Sequence, residues 1–269
     1  MKKVIIIGGG FAGSSAAKKL ESKFDVTLID AEDYFEFTPG ILRTIVEQNH
    51  FEKIQVKHLK YLKKTKIITG FVEEVGKNYV KLKGRKEKIK FDYLVVASGS
   101  SYNSPIKESG VFFASRAKHL KKSHEQVQKA KTINIIGGGL VGTELMAEIC
   151  THYSDKKLRI IHSHERLMER NNEKTSKYAE DFFRKKGIEI VFDERVKKIK
   201  NKKILTESGK EFDHELAFFT VGIKPNLELM KKNFSKEIDG GIKVNEFLQL
   251  SIFKNIFIAG DAAGVKEEK

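Results

Sequence analysis

The chain has a single cysteine, Cys150, and only three prolines among 269 residues. One cysteine excludes an intramolecular disulfide and points to a reducing, cytoplasmic setting. The shortage of proline argues against a low-complexity or collagen-like polypeptide. No window approaches the ~20 apolar residues of a transmembrane helix, so no segment is expected to span a bilayer. Acidic residues are also short: 36 Asp+Glu stand against 51 Lys+Arg, for a net charge of +15. The excess is mostly scattered lysine, densest from 53 to 90. It is expected to form a solvated surface and permits peripheral attraction to an anionic membrane face. No basic motif interleaved with aromatics is present, so no nucleic-acid partner is expected. His58, His119, His124, His152 and His214 lack ligand spacing, and no metal site is expected.

A glycine-rich loop is present twice. Val4-Ile5-Ile6-Ile7-Gly8-Gly9-Gly10-Phe11-Ala12-Gly13 recurs as Ile133-Asn134-Ile135-Ile136-Gly137-Gly138-Gly139-Leu140-Val141-Gly142, 129 residues later. Each apolar run of four is short enough for a buried parallel strand. This context also explains the uncharged stretch 4–17 after Met1-Lys2-Lys3 better than a signal peptide does. Helices are expected over 12–20 and 140–150, and second strands over 25–30 and 158–162. The result is a strand–helix–strand unit in each half. Both halves then turn to short alternating segments, 66–93 and 188–215, read as small antiparallel crossover sheets. A further helix is expected over 176–186. Closing apolar strands end at Ala97-Ser98-Gly99 and Thr220-Val221-Gly222, and Gly99 and Gly222 are 123 residues apart. Two landmarks repeating at nearly one interval indicate an internal duplication. The stretch from about Gly240 belongs to neither repeat and ends in another apolar strand capped by Gly260-Asp261.

The loop chemistry suits a pyrophosphate. Gly8 and Gly137 permit the tight turn, Gly10 and Gly139 admit the phosphates to the backbone, and Gly13 and Gly142 allow close helix–sheet packing. The helix start supplies free N–H groups and partial positive charge. Asp30 lies 20 residues after Gly10, where a carboxylate can accept both hydroxyls of an adenosine ribose. The second copy differs. His162 stands 23 residues after Gly139, followed by Ser163 and His164. Protonated His162 and His164, with Arg166, could accept a 2′-phosphate; alternatively Glu165 or a backbone group binds an ordinary ribose.

With both loops, both closing glycine motifs and Gly260-Asp261, the chain resembles the two-dinucleotide-fold flavoproteins, the FAD-containing pyridine nucleotide oxidoreductases. Within that family it looks most like type II NADH dehydrogenases and apoptosis-inducing-factor-like NAD(P)H:quinone reductases. The resemblance implies an α/β fold of two tandem Rossmann-like domains, the second inserted in the first. The expected divisions are 1–105 and 237–269 for FAD and 106–236 for NAD(P)H. It further implies FAD at Gly8, Gly10, Phe11, Ala12, Gly13, Asp30, Pro39, Val72, Ala97, Ser98, Gly99, Gly260 and Asp261, with Val72 near the adenine. NADH or NADPH would lie at Gly137, Gly139, Leu140, Val141, Gly142, Glu144, His162 and Gly222, with Glu144 placing the nicotinamide. Arg43 is read as facing either the flavin or solvent. The stretch 34–48 lacks the cysteine pair of the family's disulfide reductases, and Cys150 reads as a buried structural thiol. Thiol-based electron transfer is therefore not expected.

The implied activity is hydride transfer from NAD(P)H to FAD, then electron transfer to a quinone or other small acceptor; a homodimer is compatible with it. Two other readings are a reductase of ferredoxin or rubredoxin, and a non-catalytic dinucleotide-binding remnant. The last is prompted by 265–269, which fall where family members begin a flavin-covering helix.

Overall fold

The computed structural model describes residues 1–101 and 113–265, with side chains of the helix Phe113–Lys129 described from Leu120 onward. Two parallel sheets organise it. The first runs in the order Gln249–Leu250, Phe253–Ile258, Tyr93–Val96, Lys3–Ile7, Asp25–Asp30, Lys66–Thr69. All its neighbours are parallel except the terminal hairpin of Gln249–Leu250 with Phe253–Ile258. The second sheet runs Glu189–Val191, Lys157–Ile161, Thr132–Ile136, Leu216–Phe219, parallel throughout. Leaving aside the C-terminal strands, the two sheets share one topology. Each glycine-loop strand sits between the second strand of its unit and the closing strand.

This order follows from the sequence pattern. Ile5, Ile6, Ile133 and Ile135 are at most 2% exposed, as in strands covered on both faces. Each half also carries a three-stranded antiparallel meander: Val72–Val75, Tyr79–Leu82 and Lys88–Lys90 in the first, Val196–Lys200, Lys203–Thr206 and Glu211–Asp213 in the second. The expected crossover sheets are thus present but shorter than 66–93 and 188–215. Lys66–Thr69 and Glu189–Val191 instead extend the parallel sheets. A three- or four-residue strand does not reveal its pairing direction; that is decided by which edge it reaches. The helix expected over 176–186 runs Glu173–Lys185, because the Asn172 side chain caps it by accepting from the Thr175 amide at 2.9 Å.

Several contacts join the halves. Ser100–Ser101 pairs antiparallel with Lys224–Pro225, just beyond the two closing glycine motifs. The Asn226 amide donates to Gly99 O at 2.9 Å, and Ser98 Oγ donates to Asn226 O at 2.7 Å. The 3-10 helix Thr38–Ile45 buries Ile41, Leu42 and Ile45 in one core with Leu145, Met146 and Ile149 of the helix Leu140–His152. Arg43 lies on this junction, half exposed, with its guanidinium 3.1 Å from Glu148. The sequence division at 105/106 falls outside the described residues.

Candidate functional site: two glycine loops

Both glycine loops are built the same way. The Gly8 amide donates to Ile29 O at 2.8 Å, and the Gly137 amide donates to Ile161 O at 2.9 Å. Both glycines turn with positive φ, +96° and +108°. A β-carbon on Gly8 would stand 2.2 Å from Ala97 O, so the turn and the closing strand exclude any side chain there. The helices Phe11–Leu20 and Leu140–His152 then start at Gly10 and Gly139. Neither start has a capping side chain or an acidic residue in its first turn. Their first amides are left to an external acceptor, and the helix dipole favours an anion. A β-carbon on Gly10 or Gly139 would meet nothing within 4 Å. In each half the loop thus presents open backbone rather than a side chain.

The first loop forms the floor of a groove of about 390 Å³, within the range of about 300–1,000 Å³ for small-molecule sites. Gly8, Gly10, Phe11, Ala12, Asp30, Ala97, Ser98, Gly99, Gly260 and Asp261 all line it. Four carboxylates are among its lining, Asp30, Glu32, Glu36 and Asp261, the last accepting a short hydrogen bond from Ser100 Oγ. Gly13 is buried behind the loop. Pro39, next to the lining residue Thr38, is exposed in the first turn of the 3-10 helix. Val72 is outside the groove lining: it is half-buried and packs against the core that contains Val75. Its pairing with Leu82 in the meander sets that orientation.

Behind the first loop is a buried polar network that sequence reasoning missed. Asp30 Oδ2 accepts from the Gly9 amide at 2.9 Å and lies 3.2 Å from His58 Nε2. His58 Nδ1 lies 2.6 Å from Tyr61 Oη, which is 2.7 Å from Ser14 Oγ; Ser14 donates back to Gly9 O at 2.6 Å. His58 is fully buried. The available signal was its three-residue spacing from Tyr61, which places both on one face of the short helix His58–Tyr61.

In the second half the strand-end residue is also engaged by the loop. His162 Nδ1 accepts from the Gly138 amide at 3.0 Å, and Nε2 lies 3.2 Å from Glu169 Oε2. His162 is 4% exposed, and burial, its main influence, lowers its pKa. Arg166 is committed elsewhere, to Asn171 O, Ser176 Oγ and Glu169 O. Of the side chains that could accept a 2′-phosphate, the His162 imidazole is buried as an acceptor, the Arg166 guanidinium is tied to its own loop, and His164 is exposed.

Leu140, Gly222 and Glu144 are exposed, and Val141 and Gly139 are half-buried. The Glu144 pKa is raised, first by the protein that surrounds this water-reachable side chain and then by Glu148. Cys150 is buried and its thiol pKa raised by that burial. No cluster of metal-ligating side chains occurs among the described residues, and no described helix is long and apolar enough to cross a membrane.

The Dictyostelium discoideum protein "Apoptosis-inducing factor homolog A" is 34% identical over 296 residues, covering 100% of this chain and 72% of that protein. Mouse "Ferroptosis suppressor protein 1" is 30% identical, covering 99% and 75%. Among solved structures, NDH2 from Plasmodium falciparum in complex with NADH has a TM-score of 0.81 at 19% identity, which bears on the fold alone. It covers 97% of this chain and 64% of that one, so the chain spans about two thirds to three quarters of the proteins it matches. The family model for pyridine nucleotide-disulphide oxidoreductases matches residues 2–268. With two dinucleotide folds and paired glycine loops, the chain belongs to the pyridine nucleotide-disulphide oxidoreductase family.

Proposed function

We propose that the protein is an FAD-dependent oxidoreductase that passes a hydride from NAD(P)H to flavin and then electrons to a quinone-like acceptor. The observation that carries this reading is the pair of uncapped glycine-loop helices in two sheets of one topology, joined beyond their closing strands. A single dinucleotide would need only one of them. FAD supplies the two-electron chemistry when bound. The chain's own residues bind, orient and exclude water.

Gly8, Gly10 and Gly13 would form the pyrophosphate seat, Asp30 would accept from the adenosine ribose, and Asp261 would hold the ribityl hydroxyls. Ala97, Ser98, Gly99 and Gly260 would line the path between them. Gly137, Gly139, Leu140, Val141, Gly142 and Gly222 would receive the nicotinamide cofactor, with Glu144 near its reactive end. Residues 1–105 and 237–269 are assigned to the FAD half and 106–236 to the NAD(P)H half.

The test is spectroscopic. Protein supplemented with FAD should show bound-flavin absorbance, and anaerobic NADH or NADPH should bleach it. Turnover with a water-soluble quinone analogue then identifies the acceptor class. The net charge of +15 favours a second acceptor, an acidic redox protein such as a ferredoxin or rubredoxin. Turnover with such a protein and none with any quinone would establish that alternative.

A further inference from the structure

The second glycine loop also has a carboxylate nearby, but it is not at the strand end. His162 occupies the place that Asp30 has in the first half, taking the loop amide of Gly138 as Asp30 takes that of Gly9. Leu167 stands where the first half has His58: a β-carbon on Gly138 would touch Leu167 and His162, and one on Gly9 would touch His58 and Asp30. The outer nitrogen of His162 then meets Glu169.

The chain is folded to deliver that contact. Met168 adopts φ +47°, an uncommon conformation for a non-glycine residue, and its amide donates to Gly138 O at 2.8 Å. Gly138 therefore uses its amide on His162 and its carbonyl on Met168, and Glu169 follows directly. Arg166 donates to Glu169 O and pins the backbone from the other side.

The hydrogen bonds also fix the imidazole's proton. Nδ1 accepts from an amide, so a neutral ring carries its hydrogen on Nε2 and donates it to Glu169. Adding a second proton would set two N–H groups against each other at Nδ1. The ring thus offers no cation to a phosphate. One carboxylate oxygen of Glu169 is used by His162; the other is 3.9 Å from His164, and the side chain is 31% exposed. It retains acceptor capacity for a diol.

We propose that Glu169 is the ribose-recognising carboxylate beside the second glycine loop and selects NADH over NADPH. The inference rests on the nicotinamide reading above. A 2′-phosphate would bring like charge against Glu169, with Arg166 already committed. Arg170, exposed, is the nearby cation that could offset it.

The test is equilibrium binding of NAD⁺ and NADP⁺ to the FAD-loaded protein by titration calorimetry. The fragments 5′-AMP and adenosine 2′,5′-bisphosphate serve as ribose-only probes. The unmodified protein should bind NAD⁺ more tightly than NADP⁺ by about tenfold or more, as like-charge opposition requires. Glu169→Gln should shrink that ratio, mainly by tightening NADP⁺, and the fragments should follow the same order. Glu169→Asp keeps the charge but shortens the reach, so it should weaken NAD⁺ without improving NADP⁺. Unchanged melting temperatures would show that the folds are intact. Equal binding of both dinucleotides, or a ratio unmoved by both variants, overturns the role of Glu169 alone. Tighter NADP⁺ binding that Arg170→Ala abolishes overturns it too, in favour of Arg170. Binding of neither dinucleotide overturns this inference together with the nicotinamide reading.

Discussion

The amide of Gly138 donates to Nδ1 of His162 at 3.0 Å. The matching amide in the first half, Gly9, donates to Oδ2 of Asp30 at 2.9 Å. One backbone geometry thus accepts either a carboxylate or an imidazole, because both offer an in-plane lone pair at the same reach. What changes is the charge shown to the groove. Asp30 presents a carboxylate directly, whereas His162 passes the contact outward to Glu169.

The two glycine loops should be separable by mutation. Gly10→Val and Gly139→Val each add a side chain into space free of protein atoms, so the fold should tolerate them. Gly10→Val should lower FAD affinity about tenfold or more, equivalent to about 1.4 kcal/mol. Gly139→Val should leave the flavin bound but weaken NAD(P)H. Flavin absorbance after gel filtration and anaerobic bleaching at graded nucleotide concentration would read the two effects.

His58 should matter to the first groove without touching its occupant. His58→Ala leaves Tyr61 and Asp30 short of a partner beneath the loop, and unsatisfied buried groups cost about 1–3 kcal/mol each. The melting temperature and FAD affinity should both fall. His58→Gln, which can still bridge polar groups, should recover part of each. A thermal melt with and without FAD separates fold from site.

The junction ion pair of Arg43 with Glu148 should be dispensable for folding. Arg43 is half exposed, and surface pairs stabilise little. Arg43→Ala should barely move the melting temperature, since Ile41, Leu42 and Ile45 hold the same junction by burial. A large drop would show that the halves rely on the charge pair instead.

Acid should loosen the first half through Glu21. Burial raises the pKa of this carboxyl. The Lys64 amide, Lys18 and Thr65 outweigh it, bringing the pKa to about 2 from 4.5. A depressed folded-state pKa gives stability that is complete above the unfolded value and is lost as pH falls through the folded one. The loss should therefore develop between pH 4.5 and about 2. Glu21→Gln should flatten that part of the profile while lowering stability at neutral pH. Denaturant titrations across that range would show it.

Much of the molecule was legible because its signals are local. Apolar runs before glycine loops gave the strands Lys3–Ile7 and Thr132–Ile136, and the helices after them began within one residue of expectation. The repeat spacing revealed two like halves, which share one sheet order. The strand Lys66–Thr69 was misread as part of a meander, since four alternating residues suit either pairing direction. Val72, expected near the adenine, is half-buried and packs against the first core, where it pairs with Leu82. His58 looked like one of several scattered histidines; only folding brings it to Asp30, 28 residues away.

The sequence by itself therefore determined the family and the two glycine turns, because glycine, strand and helix signals act within a few residues. Tertiary structure alone decided which side chains stand behind each turn. His58 supports Asp30, and the left-handed turn at Met168 carries Glu169 to His162. Such contacts depend on loops returning to a strand end, and their path is set by packing across the whole sheet rather than by residue type at any one position.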